Sequence, residues 1–257
     1  MKALQLFIIL AAAAGAVACT TSPTGRSQLI MVSDREADRQ GNVQYRMLKE
    51  ATPRSWDPKT IRYVNCIANE IVDVIPEGPP APADGWEVTV FDQDSINAFA
   101  LPGGNIGVFT GIMEVTENQH QLAAVIGHEV AHVIARHSAE RMTMARVSGT
   151  AGAIGGAVIG TGNAGTLAAL GLDLPFGRKQ EDEADLLGLD YMAQAGFDPR
   201  EAVNLWKNMR KKNPGSPPEF LSTHPSSLTR IDRLTERMPR ALAFYEEARA
   251  AGKRPQC

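Results

Sequence analysis

Basic charge is not in excess in this sequence. Lys and Arg number 26 against 29 Asp and Glu, leaving a net charge of −3 and a pI near 6.0. A nucleic-acid binder needs a concentrated basic face, so that class is set aside. No internal repeat is visible, which removes stacked-repeat architectures. Cysteine is scarce, three in 257 residues, which excludes a small fold stapled by many disulfides. With 44% hydrophobic residues the chain is long enough to bury an ordinary core. Histidine is the informative scarcity. Only five occur, and three fall within "AVIGHEVAHVIARH", residues 124–137.

The N-terminus has its own logic. "MKALQLFIILAAAAGAVAC" carries one Lys, an apolar run and small residues ending at Cys19. Residues 1–18 therefore read as a secretory signal rather than a membrane span. A cysteine after "AVA" resembles a bacterial lipobox, although Ala16 stands where Leu is commonest. Cys19 is then the lipidation site, and 19–27 the anchor and tether. Thr20 follows it in place of the Asp used for inner-membrane retention, which favours the outer membrane, facing the periplasm. A multiply acylated cysteine holds a soluble domain on a bilayer. Cys66 and Cys257 remain, either as a disulfide in an oxidising compartment or as two unrelated thiols.

Periodicity sketches the domain, residues 28–257. "SQLIMVS" reads as a strand, and Ser33 with Glu36 opens a helix to about Ala51. Ile61, Val64, Ala68, Ile71 and Ile75 recur at helical spacing. "WEVTVFD" alternates as a strand, and "SINAFALPGGNIGVFTGI" as two strands joined at Pro102–Gly104. A long helix is expected from Thr116 to about Met144, with further helices ending at Gly196, restarting after Asp198, and closing the chain to about Ala251. The expectation is an α+β fold, dominated by helices, with a small sheet in its N-terminal half.

Residues four apart on a helix share a face, about 6 Å apart along the axis. His128 and His132 can thus address one ion, with Glu129 beside it and next to a bound water. This H-E-x-x-H pattern is that of zinc hydrolases, in which the metal acidifies water and the carboxylate takes its proton. On a continuous helix His137 lies about 8 Å beyond His132 and His120 about 12 Å before His128. Both are expected to be surface or packing residues. A catalytic zinc needs a third protein ligand. In "RKQEDEADLLG", Glu181 and Asp185 share a face, while Asp182 and Glu183 turn away. Glu181 is the candidate ligand, and Asp185 the acceptor for a ligating histidine's Nδ1 proton.

"HEVAH", "RKQEDEAD" and "STHPSSLTRI", preceded by "NAFALPGGNIGVFTG", resemble the HtpX and CAAX-prenyl-protease family of gluzincin metalloendopeptidases (metallopeptidase family forty-eight). The nearest branch is that of periplasmic lipoprotein and outer-membrane-assembly proteases, the BepA and LoiP type. The resemblance spans roughly residues 22–240. It implies one zinc per chain on His128, His132 and Glu181, with Glu129 as general base. It also implies cleavage of misfolded or misassembled envelope proteins. "STHPSSLTRI" matches the family's T-H-P-x-x-x-x-R-I pattern with His224 and Arg230. His224 either occupies zinc's fourth position as a latch or donates to the oxyanion. Asn97, Ala98 and Phe99 resemble the family's substrate strand, the bland alternative being a core strand.

The sequence shows neither the membrane spans of the HtpX kind nor the C-terminal repeats of the BepA kind, so functions of those repeats are not carried over. Residues 147–172 are uncharged, yet one membrane crossing would part Glu181 from the histidines, and a two-pass hairpin needs about forty residues. The stretch must stay with the domain, as a flap or a packed helix. The competing functional class is a non-proteolytic envelope chaperone or assembly factor with a latched zinc site. Such a module has no need of Glu129.

Overall fold

The computed structural model describes residues 19–78, 80–147, 176–212, 219–224 and 229–257. The uncharged stretch after Val147 lies outside them. Among the described residues no helix is long and apolar enough to cross a membrane.

Strands β1 (Cys19–Thr21) and β2 (Ser27–Leu29) form an antiparallel hairpin. Residues expected to be part of a free tether are thus its turn, and the expected strand over 27–33 is confined to β2. Helix α1 (Asp34–Ala51) starts where the Ser33 side chain accepts from the Glu36 N–H. Helix α2 (Pro58–Val72) starts at an Asp57 cap with Pro58 in its first turn. A three-stranded sheet follows: β3 (Glu87–Phe91), β4 (Ala98–Leu101) and β5 (Asn105–Phe109), in the order β3-β5-β4. β3 runs parallel to β5 and β4 antiparallel, so β4 is an edge. Among the described residues, beyond a 3-10 turn at Thr110–Glu114, the remaining helices are α3 (Gln119–Ile134), α4 (His137–Val147), α5 (Arg178–Gln194), α6 (Arg200–Lys212), α7 (Glu219–Thr223) and α8 (Arg230–Ala250). The architecture is helix-dominated α+β, as the periodicity indicated.

Helix α3 is the centre of the molecule, with every residue from Gln121 to Ile134 buried. It packs between α2, α5, α6 and β4. Its approach to α5 depends on two glycines. A Cβ on Gly188 would lie 2.7 Å from the His128 backbone nitrogen, and one on Gly127 2.9 Å from the Gly188 carbonyl oxygen. Backbone therefore meets backbone where the histidine helix faces the acidic one. A disulfide joins Cys66 of α2 to Cys257 at the end of the chain.

The expected single helix from Thr116 to Met144 is two. Its cap is Asn118, whose Oδ1 accepts from the N–H groups of His120 and Gln121 at 3.0 Å. The Thr116 hydroxyl instead bonds the Ile112 carbonyl. The helix stops at Ala135, Arg136 adopts a φ of 59°, and α4 sets off in a new direction from His137. A non-glycine residue pays for this left-handed conformation, and nothing local in the sequence announces it.

Candidate active site

Four side chains converge, three from two helices and one from the residue after a third. His128 and His132 stand one turn apart on α3, Glu181 lies on the first turn of α5, and His224 follows α7. All four are buried, and one donor atom of each lies within 4.8 Å of the others. His128 Nε2 is 3.1 Å from both His132 Nε2 and His224 Nδ1. Glu181 Oε1 is 3.1 Å from His224 Nδ1 and 3.4 Å from His132 Nε2, while Glu181 Oε2 is 3.5 Å from His128 Nε2.

Those separations test whether the residues fit a metal. Zinc bonds of about 2.0–2.1 Å in a tetrahedron put neighbouring donors about 3.3 Å apart. The spacing fits, and so does the chemistry of three imidazoles and one carboxylate. The electrostatics agree. Burial disfavours charge on His128, but Asp185 and Glu181 beside it push its pKa up to about 10. Burial, helped by the neighbouring His128, His137 and His224 and opposed by Glu181, holds the His132 pKa well below its ordinary value. Burial would raise Glu181, yet His224 and His128 outweigh it and hold the carboxylate ionised.

The surroundings orient these donors. Asp185, one turn beyond Glu181, places Oδ1 3.0 Å from His128 Nδ1. Arg230, at the start of α8, donates from Nε to Asp185 and from Nη2 to Glu181, each at 2.5 Å. Its guanidinium lies 3.8 Å above the Trp206 ring. The His224 ring stacks on Phe220 at 4.5 Å between centroids, with Phe176 on its other flank at 5.4 Å. Phe176 also covers His132 at 3.9 Å. Neither phenylalanine belongs to a motif that would have singled it out.

Glu129 is buried, and burial raises its pKa. Its Oε1 has no hydrogen-bond partner among the described residues, and His224 Nε2 lies 3.4 Å away. The carboxylate accepts from the Ala100 N–H, which ties it to the edge strand β4. On that strand, the Ala98 N–H bonds Asn97 Oδ1 at 2.9 Å. Phe99 turns its ring into a cluster with Tyr45, Phe91 and Phe109. Any contact that Phe99 makes with a peptide must therefore come from its backbone.

One expectation needs refining. Of the two alternatives for His137, surface or packing, the surface one fails: it is fully buried, and polar contacts hold it there, with Nδ1 2.9 Å from His132 Nδ1 and Nε2 3.2 Å from Glu183 Oε2. The break at Arg136 folds it back, whereas the distance estimate assumed a continuous helix. Glu183 does turn away from the donor cluster, but into the protein, where Thr24 and Arg26 bind it. Asp182 pairs with Arg233. His120 accepts from the Asp198 N–H at 3.1 Å and packs on Phe197, remote from the cluster.

Comparison with known proteins agrees with this geometry. The model of Peptidase family M48 matches residues 58–238. The mitochondrial metalloendopeptidase OMA1 of Saccharomyces cerevisiae is 33% identical over 241 residues, covering 87% of this chain and 70% of its own. The OMA1 of Schizosaccharomyces pombe is 42% identical over 160 residues, covering 61% of this chain and 48% of its own. The beta-barrel assembly-enhancing protease of Escherichia coli is 28% identical over 205 residues, covering 74% and 41%. The chain thus spans about half or less of the length of most such relatives. By its motif order, its donor cluster and these matches, the chain belongs to peptidase family M48.

Proposed function

We propose that this chain is a zinc-dependent metalloendopeptidase that cleaves misfolded or misassembled proteins of the bacterial envelope. The observation that carries the reading is the meeting of His128, His132 and Glu181 beside a buried, unpartnered Glu129 Oε1. A structural metal site has no use for that carboxylate.

His128, His132 and Glu181 would hold zinc, which when bound would supply Lewis acidity toward a peptide carbonyl and lower the pKa of water to about 7. Glu129 Oε1 takes the proton of the attacking water, and its raised pKa suits it to hand that proton to the leaving amine. Asp185 fixes the His128 tautomer through Nδ1, and Arg230 holds both carboxylates in register. His224 serves two states. With Nδ1 among the donors, as here, it would be a fourth ligand that latches the centre; withdrawn, its Nε2–H would be free to donate to developing negative charge on the substrate oxygen. The substrate pairs with the β4 edge at Asn97, Ala98 and Phe99, backbone to backbone, which gives affinity without strong sequence selection.

The signal-like residues 1–18 and Cys19 support export and lipid anchoring to the outer membrane, facing the periplasm. Relatives named as mitochondrial OMA1 share the domain in another compartment, so the leader rather than the domain carries this assignment. Incubating the purified protein with an unfolded protein, with and without a chelator, tests the reading. Chelator-sensitive cleavage that disappears in Glu129→Gln is expected. Binding without cleavage would favour a chaperone instead.

A further inference from the structure

The zinc reading leaves one buried line of polar groups without a task. It starts at the outer nitrogen of His132 and ends at the N-terminal hairpin. His132 turns Nε2 to the donor cluster, so its ring proton sits on Nδ1, facing His137 Nδ1 at 2.9 Å. His137 accepts there, and its own proton must lie on Nε2, 3.2 Å from Glu183 Oε2. Only one set of neutral tautomers satisfies both contacts, and the polarity runs outward from the cluster to a carboxylate. Glu183 is in turn fixed by the β1–β2 hairpin. The Thr24 hydroxyl donates to Oε1 at 2.6 Å and Arg26 Nε to Oε2 at 2.8 Å. The rest of the Arg26 guanidinium grips Glu140 with two bonds of 2.8 Å, and Gln180 donates to the same carboxylate. Gln28 of β2 donates to the Ala135 carbonyl at 2.6 Å, holding the hairpin against the helix break that swings His137 inward.

We propose that His137, Glu183 and the β1–β2 hairpin form a positioning relay for His132, so that a segment remote in sequence from the motifs sets how firmly the centre holds its metal. The inference rests on the zinc reading above. His128 has a direct carboxylate support in Asp185, from the helix that also supplies Glu181. Among the described residues, His132 reaches a carboxylate from Nδ1 through His137. An ordinary surface ion pair would need no imidazole between itself and a ligand, nor near-complete burial of Glu183 at 3% exposure. Removing such an outer partner weakens metal binding about 10- to 100-fold.

The test measures zinc affinity of the full chain by competition with a chromophoric chelator, and the visible absorption of the cobalt-substituted protein. His137→Phe keeps the buried volume and removes both ring nitrogens; Glu183→Ala removes the acceptor; Glu183→Gln keeps an acceptor oxygen. Circular dichroism and melting of the metal-free proteins check folding. The expected result is a loss of about 10- to 100-fold in affinity with shifted cobalt bands for His137→Phe and Glu183→Ala. Substantial recovery in Glu183→Gln and a smaller loss in Arg26→Ala should accompany it. His132→Ala separates the two readings. If it loses zinc while His137→Phe and Glu183→Ala stay within about twofold of the parent with unmoved cobalt bands, the relay is wrong and the zinc site stands. If His132→Ala binds zinc like the parent, the zinc site itself is wrong, and the relay falls with it.

Discussion

Gly188→Ala puts the close approach of α3 and α5 under direct test. In an exposed helix interior this change would stabilise by about 0.8–1 kcal/mol through helix propensity. Here the new methyl would sit 2.7 Å from the His128 nitrogen, 2.8 Å from the Gly127 carbonyl carbon and 2.9 Å from the His128 Cα. All three are backbone atoms, which cannot rotate away as a side chain can. Reaching ordinary contact near 3.4 Å requires the helices to part by about 0.7 Å. Overpacking of this kind costs about 1–3 kcal/mol, so the clash outweighs the propensity gain. The displacement also falls on the ligands, since His128 and His132 ride on α3 and Glu181 on α5. Donors now 3.4–3.5 Å apart across the two helices would be pulled off the tetrahedral spacing. Two measurements follow: the melting temperature of the metal-free protein, and zinc affinity by chelator competition. Both should fall, with Gly127→Ala milder because only the Gly188 carbonyl oxygen comes within 3.4 Å of its methyl. A Gly188→Ala protein that melts higher and binds zinc like the parent would refute the argument.

Four further outcomes are expected. Glu129→Gln should retain zinc on metal analysis and lose nearly all peptide hydrolysis, because the ligands survive while the proton acceptor does not; undiminished turnover would overturn the mechanism. His224→Ala should raise hydrolysis of an unfolded substrate by opening the fourth position, whereas a fall of about a hundredfold would make the oxyanion role the dominant one. Reduction of the Cys66–Cys257 bridge, which spans 191 residues of sequence, should lower stability by up to about 5 kcal/mol in a denaturant titration. Two alkylatable thiols in the unreduced, denatured protein would contradict the bridge. Glu140 and Glu183 are both depressed below the ordinary glutamate value of 4.5: burial would raise them, but bonds to Arg26 and Gln180 outweigh it at Glu140, and bonds to His137, Ser22, Thr24 and Arg26 at Glu183. Their contribution is therefore complete above that value and is lost as pH falls below it. Melting temperature should drop on acidification from about pH 5 to 3, less steeply in Arg26→Ala, and parallel slopes for the two proteins would remove the hairpin contacts as the cause.

Much of the site was readable because helix geometry is local. Four-residue spacing puts His128 with His132, and Glu181 with Asp185, on single faces whatever the rest of the chain does. The Ser33 and Asp57 caps and the alternation in β3 are equally local signals. The same arithmetic misplaced His137, because it presumed a helix that continues through Arg136. Glycine or asparagine at that position would have signalled a left-handed residue, but arginine gives no such sign. Glu183 was legible only as turned away from the donors. Its neighbours on α5 say which face it occupies, not that a hairpin more than 150 positions earlier covers that face.

By itself, then, the sequence determined the class of fold, the pairs of donors and the chemistry they can perform. These depend on periodicity within single elements and on the side chains' own functional groups. Only the tertiary structure decided which faces meet. Gly127 and Gly188 bring α3 onto α5, Arg230 locks Glu181 to Asp185, and the hairpin closes over Glu183. Such contacts are chosen by shape and burial between segments far apart in the chain, where no short-range pattern records the partner.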